Sequence, residues 1–219
     1  MNPIEQTFQQ FRQNGKTVLI PYITVGDPDL DTSVEIIREL ETAGAAMIEL
    51  GVPYSDPLAD GPVIQRASAR ALKHRITILD CIRAAKLARE RGVTLPFILF
   101  SYYNPVLQLG MERFFQLLLE NGIDGIIIPD LPVEESAELR TCAERTGISC
   151  IPLVAPTSND RIRSIVSRAT GFVYCVSSLG VTGMRSHFSE SIDAFLKTVK
   201  NASALPVCVG FGISNREQV

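Results

Sequence analysis

The chain has 219 residues, 46% hydrophobic and 21% charged, with a net charge of −3, enough for one sizeable core and short for two ordinary domains, so one domain over 1–219 is expected. So mild an acidic balance offers no clustered basic face for nucleic acid. The longest apolar runs, such as Gly125–Ile128 and Phe97–Phe100, fall far short of the roughly 18 residues of a membrane-spanning helix.

From the amino terminus, Ile4, Phe8 and Phe11 recur at helical spacing among polar residues, without the apolar core or cleavage site of a secretory signal. A short amphipathic helix lying on the body of the protein is expected. Short β-branched runs then alternate with stretches of helical period. The strands are expected at Val18–Thr24, Met47–Gly51, Phe97–Tyr102, Gly125–Pro129, Cys150–Val154, Phe172–Val176 and Val207–Gly210. Helices are expected at Ser33–Leu40, Ile78–Ala88, Glu112–Leu119, Glu134–Ala143, Arg161–Val166 and Ile192–Val199. Continuously apolar strands are buried on both faces, which indicates a parallel sheet covered by helices.

A doubly wound open sheet would carry G-x-G-x-x-G after its first strand, and none is present. Instead, polar and glycine-rich segments follow nearly every strand: Thr24–Asp27, Asp56–Asp60, Asn104, Asp130, Thr157, Gly180–Gly183 and Gly210–Gly212. A (β/α)8 TIM barrel gathers such segments on one rim, where its active site lies. That α/β fold is expected. Ser214-Asn215-Arg216-Glu217 is a capping-box pattern that opens a helix, and the sequence stops at Val219, so the last helix–strand unit of the barrel is expected to be missing.

Glu49 stands between Ile48 and Leu50 in the second strand, so alternation turns it toward the barrel interior. A buried carboxylate costs several kcal/mol unless it is paired or raises its pKa. Glu49 is therefore either a proton-transfer group or the partner of an arginine. Asp60 in the following loop could face the same pocket and complete an acid–base pair, or be a solvated loop residue. Gly180-Val181-Thr182-Gly183 and Gly210-Phe211-Gly212 could cradle a phosphate through backbone N–H groups, or be ordinary turns. The isolated His74 and His187 read as surface residues. The five cysteines, Cys81, Cys142, Cys150, Cys175 and Cys208, are scattered without a C-x-x-C pair, suggesting neither disulfides nor a metal site; a reducing cytoplasm fits them.

The stretch Ile48-Glu49-Leu50-Gly51-Val52-Pro53-Tyr54-Ser55-Asp56-Pro57-Leu58-Ala59-Asp60-Gly61 resembles the signature of tryptophan synthase α subunits. The resemblance continues through Pro21–Pro28, Tyr102–Pro105, Pro129–Pro132, Ser178–Gly183 and Gly210–Ser214. It implies a carbon–carbon lyase that cleaves indole-3-glycerol phosphate by retro-aldol chemistry. By resemblance Glu49 and Asp60 are catalytic, with Tyr174 beside the glutamate. The resemblance further implies that Tyr22, Phe100, Ile127, Leu153 and Phe211 wall the indole pocket. Thr182 would hydrogen-bond Asp60 and close the site over substrate, and Gly183 and Gly212 would bind phosphate. No cofactor is implied in this subunit, since pyridoxal phosphate belongs to the partner β subunit of an αββα complex. Docking residues would be Asp56, Pro57, Asn104, Asp130 and Pro132 on the rim.

Two other readings remain open. Another phosphate-binding barrel enzyme would share the glycine loops but carry lysine or cysteine at its early strand ends, where Glu49 and Asp60 stand here. Alternatively, the chain could be catalytically dead and serve only to activate the β subunit.

Overall fold

The computed structural model describes residues 1–176, 190–211 and 213. Its strands are β1 (Tyr22–Thr24), β2 (Ile48–Gly51), β3 (Phe97–Phe100), β4 (Gly125–Ile127), β5 (Ser149–Cys150), β6 (Leu153–Val154), β7 (Val173–Val176) and β8 (Val207–Gly210). Among the described residues all six strand pairings are parallel, in the order β1-β2-β3-β4-β5 and β6-β7-β8. The helices are α1 (Pro3–Gln13), α2 (Leu30–Thr42), α3 (Pro62–Lys73), α4 (Ile78–Glu90), α5 (Tyr103–Leu109), α6 (Met111–Glu120), α7 (Ala137–Thr146), α8 (Ile162–Val166) and α9 (Glu190–Ala202).

β5 and β6 are two parts of the one strand expected at Cys150–Val154. Pro152 has no N–H to give to the ladder, so regular pairing lapses there. Flanking bonds carry the sheet across: Ile151 N donates to Ile126 O at 3.0 Å, and Tyr174 N donates to Pro152 O at 3.0 Å. The sheet is strongly curved. Tyr22 on β1, Phe100 on β3, Ile127 on β4, Tyr174 on β7 and Cys208 on β8 all belong to one apolar cluster, which a flat sheet could not assemble from its first and last strands. Opposite faces of the same strands pack on the helices: Ile48, Leu50, Phe97 and Leu99 against α2, α4 and α6, and Val173 and Cys175 against α8 and α9. These two faces give the continuous apolar runs in the sequence.

The expected amino-terminal helix is α1, and it closes one end of the barrel. Ile4 is fully buried and lies so near β4 that a Cβ on Gly125 would come within 2.6 Å of its Cδ1. Phe8 packs on Phe172 with ring centroids 5.5 Å apart. The Asn2 side chain caps the helix by accepting from Ile4 N at 2.9 Å. Its amide also donates to Asp124 O at 2.9 Å and Gly147 O at 2.7 Å, pinning the helix to the loops below β4 and β5.

Two helices escape the sequence reading. α3 begins at Pro62, directly after Gly61, a pair that reads as a turn although proline suits a helix start. α5 holds Pro105 in its first turn, where no intrahelical N–H bond is forfeited. α7 starts three residues later than expected, because Glu135 N closes a turn on Pro132 O at 3.0 Å. The capping-box residues Ser214–Glu217 lie outside the described residues.

Candidate active site

β2 places Glu49. Ile48 and Leu50 face the helices, so Glu49 faces the interior, in register with Tyr22 on β1 and Ile98 on β3. It is 3% exposed. Among the described residues its carboxyl has no hydrogen bond or ion pair, and the arginine partner left open by the sequence is not among them. Burial alone pushes its pKa up to about 8, which keeps the carboxyl protonated at neutral pH.

Asp60 is 6% exposed, so it is no solvated loop residue. The loop from Val52 returns it to the barrel mouth, where α3 begins. Gln65 Nε2 donates to Asp60 O at 2.8 Å, and Ala59 N donates to the Tyr102 hydroxyl at 2.9 Å. Burial raises the pKa of Asp60, opposed by a hydrogen bond from the Tyr102 side chain. Tyr102 was not singled out by the sequence reading, although it follows β3 by two residues at the same rim. Its ring stacks on Tyr54 at 4.9 Å.

Around the two carboxyls stand the expected wall residues. Tyr22 meets Phe100 edge to face at 5.8 Å and 90°, and Tyr174 meets Phe211 at 5.9 Å and 81°. Ile127 and Leu153 join the same cluster. Tyr22 is held far above its ordinary pKa by burial first, then by the charge of Asp60 and, after a hydrogen bond from Thr24 that lowers it, that of Glu49. Tyr174 is held up by burial, then by Glu49. The neighbourhood of Glu49 also includes Cys208, pushed up to about 12 chiefly by burial. Strand alternation from Gly210 could have pointed to this cysteine.

The two tyrosines share a packing device. A Cβ on Gly51 would lie 2.1 Å from the Tyr22 hydroxyl oxygen, and one on Gly210 would lie 1.9 Å from that of Tyr174. In each case the ring lies over the glycine two residues beyond its register partner, Glu49 or Cys208. Both phenols therefore slant toward the carboxyl ends of the strands. Thr182, Gly183 and Gly212, together with the Gly180–Gly183 loop, lie outside the described residues.

The expected docking residues share that rim. Asp56, Asn104, Asp130 and Pro132 are exposed, with Pro57 half-buried. Asn104 Nδ2 donates to the Tyr54 hydroxyl at 3.4 Å, linking the second and third loops. Asp130 accepts from Tyr103 N at 2.9 and 3.2 Å, so its carboxylate caps the start of α5 and ties the fourth loop to the third. Leu58, 84% exposed, and Leu107, 57% exposed, add apolar area. Asp27, in the first loop, is committed to a two-pronged pair with Arg70 of α3 at 2.8 and 2.6 Å.

Among the described residues no group of three or more His, Cys, Asp or Glu side chains could hold a metal ion, and no helix is long and apolar enough to cross a membrane. His74 is exposed at the end of α3, and His187 lies outside the described residues.

A family model described as tryptophan synthase alpha chain matches residues 8–219. The tryptophan synthase alpha chain of Bacillus velezensis is 56% identical over 207 residues, covering 94% of this chain and 78% of the relative. That of Geobacillus stearothermophilus is 57% identical over 202 residues, covering 92% and 75%. Among solved structures, Mycobacterium tuberculosis tryptophan synthase superposes with a TM-score of 0.92 at 36% identity, covering 98% of this chain and 82% of that one. The tryptophan synthase subunit alpha of Legionella pneumophila gives 0.89 at 39% identity, covering 97% and 79%.

Proposed function

The chain belongs to the tryptophan synthase alpha chain family, and from that premise we propose that it cleaves indole-3-glycerol phosphate to indole and glyceraldehyde 3-phosphate. The observation that carries the assignment of roles is Glu49: a carboxyl 3% exposed in the barrel interior, without a cation partner among the described residues, and protonated at neutral pH.

Indole is a poor carbanion leaving group. Protonation of its C3 gives an indolenine that can accept the electrons of the breaking C–C bond. Glu49 delivers that proton. The ionised carboxylate then takes the proton from the hydroxyl on the adjacent carbon as the bond to C3 breaks and the aldehyde forms. Glu49 ends as it began, protonated, so one residue serves as acid and then as base. Asp60 accepts the hydrogen bond of the indole N–H and stabilises the positive charge of the indolenine. The contrast with Glu49 is environmental: Asp60 has a hydroxyl donor in Tyr102 that favours its charged form, and Glu49 has none among the described residues. Tyr174 lies beside Glu49 and helps hold it. Tyr22, Phe100, Ile127, Leu153 and Phe211 supply a flat apolar slot. In this reading Thr182 hydrogen-bonds Asp60 as the site closes over substrate, and Gly183 and Gly212 bind the phosphate.

The partner is the tryptophan synthase β subunit, which carries the pyridoxal phosphate of an αββα assembly; the retro-aldol step asks for proton transfer alone. The rim of Asp56, Pro57, Asn104, Asp130 and Pro132 is the docking face. Five free cysteines suit a reducing cytoplasm.

Indole release from indole-3-glycerol phosphate by the protein with its β subunit tests the reading. Glu49→Gln should lower turnover by at least the roughly 10²–10⁴-fold that a general acid–base group supplies, with substrate binding still measurable. Asp60→Asn, which keeps the shape and removes the charge, should also be severely impaired. More than about a tenth of normal turnover in Glu49→Gln would remove its assigned role.

A further inference from the structure

We propose that the Tyr22 hydroxyl is a positioning donor for the catalytic glutamate: seated over Gly51, one pleat above Glu49, it receives the Glu49 carboxylate when that side chain moves toward it after the proton has left for the substrate. The inference rests on the role of Glu49 proposed above and assigns Tyr22 more than the wall of an apolar slot.

The geometry is specific. Tyr22 is in register with Glu49 on the neighbouring strand. Gly51 lies two residues further along β2, on the same interior face. The phenol oxygen occupies the space that a side chain at 51 would fill, 2.1 Å from an ideal Cβ. It therefore stands one pleat above Glu49, toward the loop that returns Asp60. Phe100 buttresses the ring edge to face at 5.8 Å, which limits its swing.

The neighbouring Thr24 adds a direction. The Thr24 side chain, 8% exposed on the same strand, opposes the rise in this phenol's pKa as a hydrogen-bonding neighbour. A threonine hydroxyl donating to the phenol oxygen leaves the phenol proton to donate elsewhere. The charges of Asp60 and Glu49 both bear on this hydroxyl. Tyr174 on β7 and Cys208 on β8 also face Glu49, and Cys81 of α4 bears on Tyr22. Burial holds all three well above their ordinary pKa values, so across the working pH range they present neutral groups. While Glu49 is protonated it needs no donor. Once it has given its proton to C3, a carboxylate in an apolar barrel gains strongly from one.

The test compares pH profiles of turnover for the protein with its β subunit and its Tyr22→Phe, Thr24→Val and Thr24→Ser variants. A hydrogen bond to a buried charge is worth roughly ten- to a hundredfold. Tyr22→Phe keeps the ring, so kcat should fall by about that factor with KM nearly unchanged. The alkaline limb should move up by about one to two pH units, because ionised Glu49 loses a donor. Thr24→Val should shift the limb the same way, and Thr24→Ser should restore it. A Tyr22→Phe profile that overlays the parent, or a loss confined to KM, overturns the inference while leaving Glu49 in place. A parent enzyme with no alkaline limb strikes instead at the proposed role of Glu49.

Discussion

Replacing Glu49 by glutamine tests its buried, protonated state without reference to catalysis. The side chain titrates near 4.5 when solvated and at about 8 in the folded protein. Between those values the unfolded chain has released a proton that the folded chain still holds. Stability therefore falls as pH rises: the contribution is fully present below about 4.5 and lost by about 8. One pKa unit is worth about 1.4 kcal/mol, so linkage between about pH 5 and pH 8 amounts to roughly 3 to 4 kcal/mol. Glutamine does not titrate and removes that slope, while any constant cost of burying its amide shifts the whole curve and cancels from the comparison. Urea unfolding of parent and variant at several pH values across this window measures the difference. The variant should gain roughly 3 to 4 kcal/mol on the parent between the two ends. Curves that stay parallel within about 1 kcal/mol would mean that Glu49 ionises normally in the folded protein and is no proton donor at neutral pH.

The rim and the barrel floor give further predictions. Asp56→Lys should weaken activation by the β subunit more than it slows cleavage by the isolated chain, since Asp56 is exposed; equal losses in both assays would place it in the catalytic pocket. Ile4→Ala removes a fully buried side chain from the barrel interior and should cost about 2 to 5 kcal/mol by urea unfolding. A loss below about 1 kcal/mol would mean that α1 does not close the barrel.

Much of the architecture was legible because each strand satisfies two demands at once. Ile48 and Leu50 must face helices while Glu49 faces inward, and that conflict shows as a lone charge in an apolar run. The burial of Asp60 was less legible: nothing in Asp56–Asp60 distinguishes a solvated aspartate from one folded back under Tyr102. That distinction depends on Ala59 N reaching the Tyr102 hydroxyl across 43 residues. α3 and α5 were missed for a related reason. Their starts carry Gly-Pro and Tyr-Asn-Pro, residues that serve a turn and a helix start equally well, and only packing decides between them. Asp130 stands on the expected docking rim, and its carboxylate also has a local task. It caps a helix, and a cap cannot be told from an exposed acid without knowing where the next loop lies.

The attachment of α1 also governs when this protein can become itself during synthesis. Asn2 is secured by carbonyls 122 and 145 residues away, and Phe8 rests on Phe172. At roughly 5–20 residues per second, a nascent chain waits on the order of 10–30 s before that seat exists. Throughout this interval Ile4, Phe8 and Phe11 form an unsheltered greasy stripe. A segment made well before its own seat is thus held in waiting, and for that time it needs the shelter a chaperone gives.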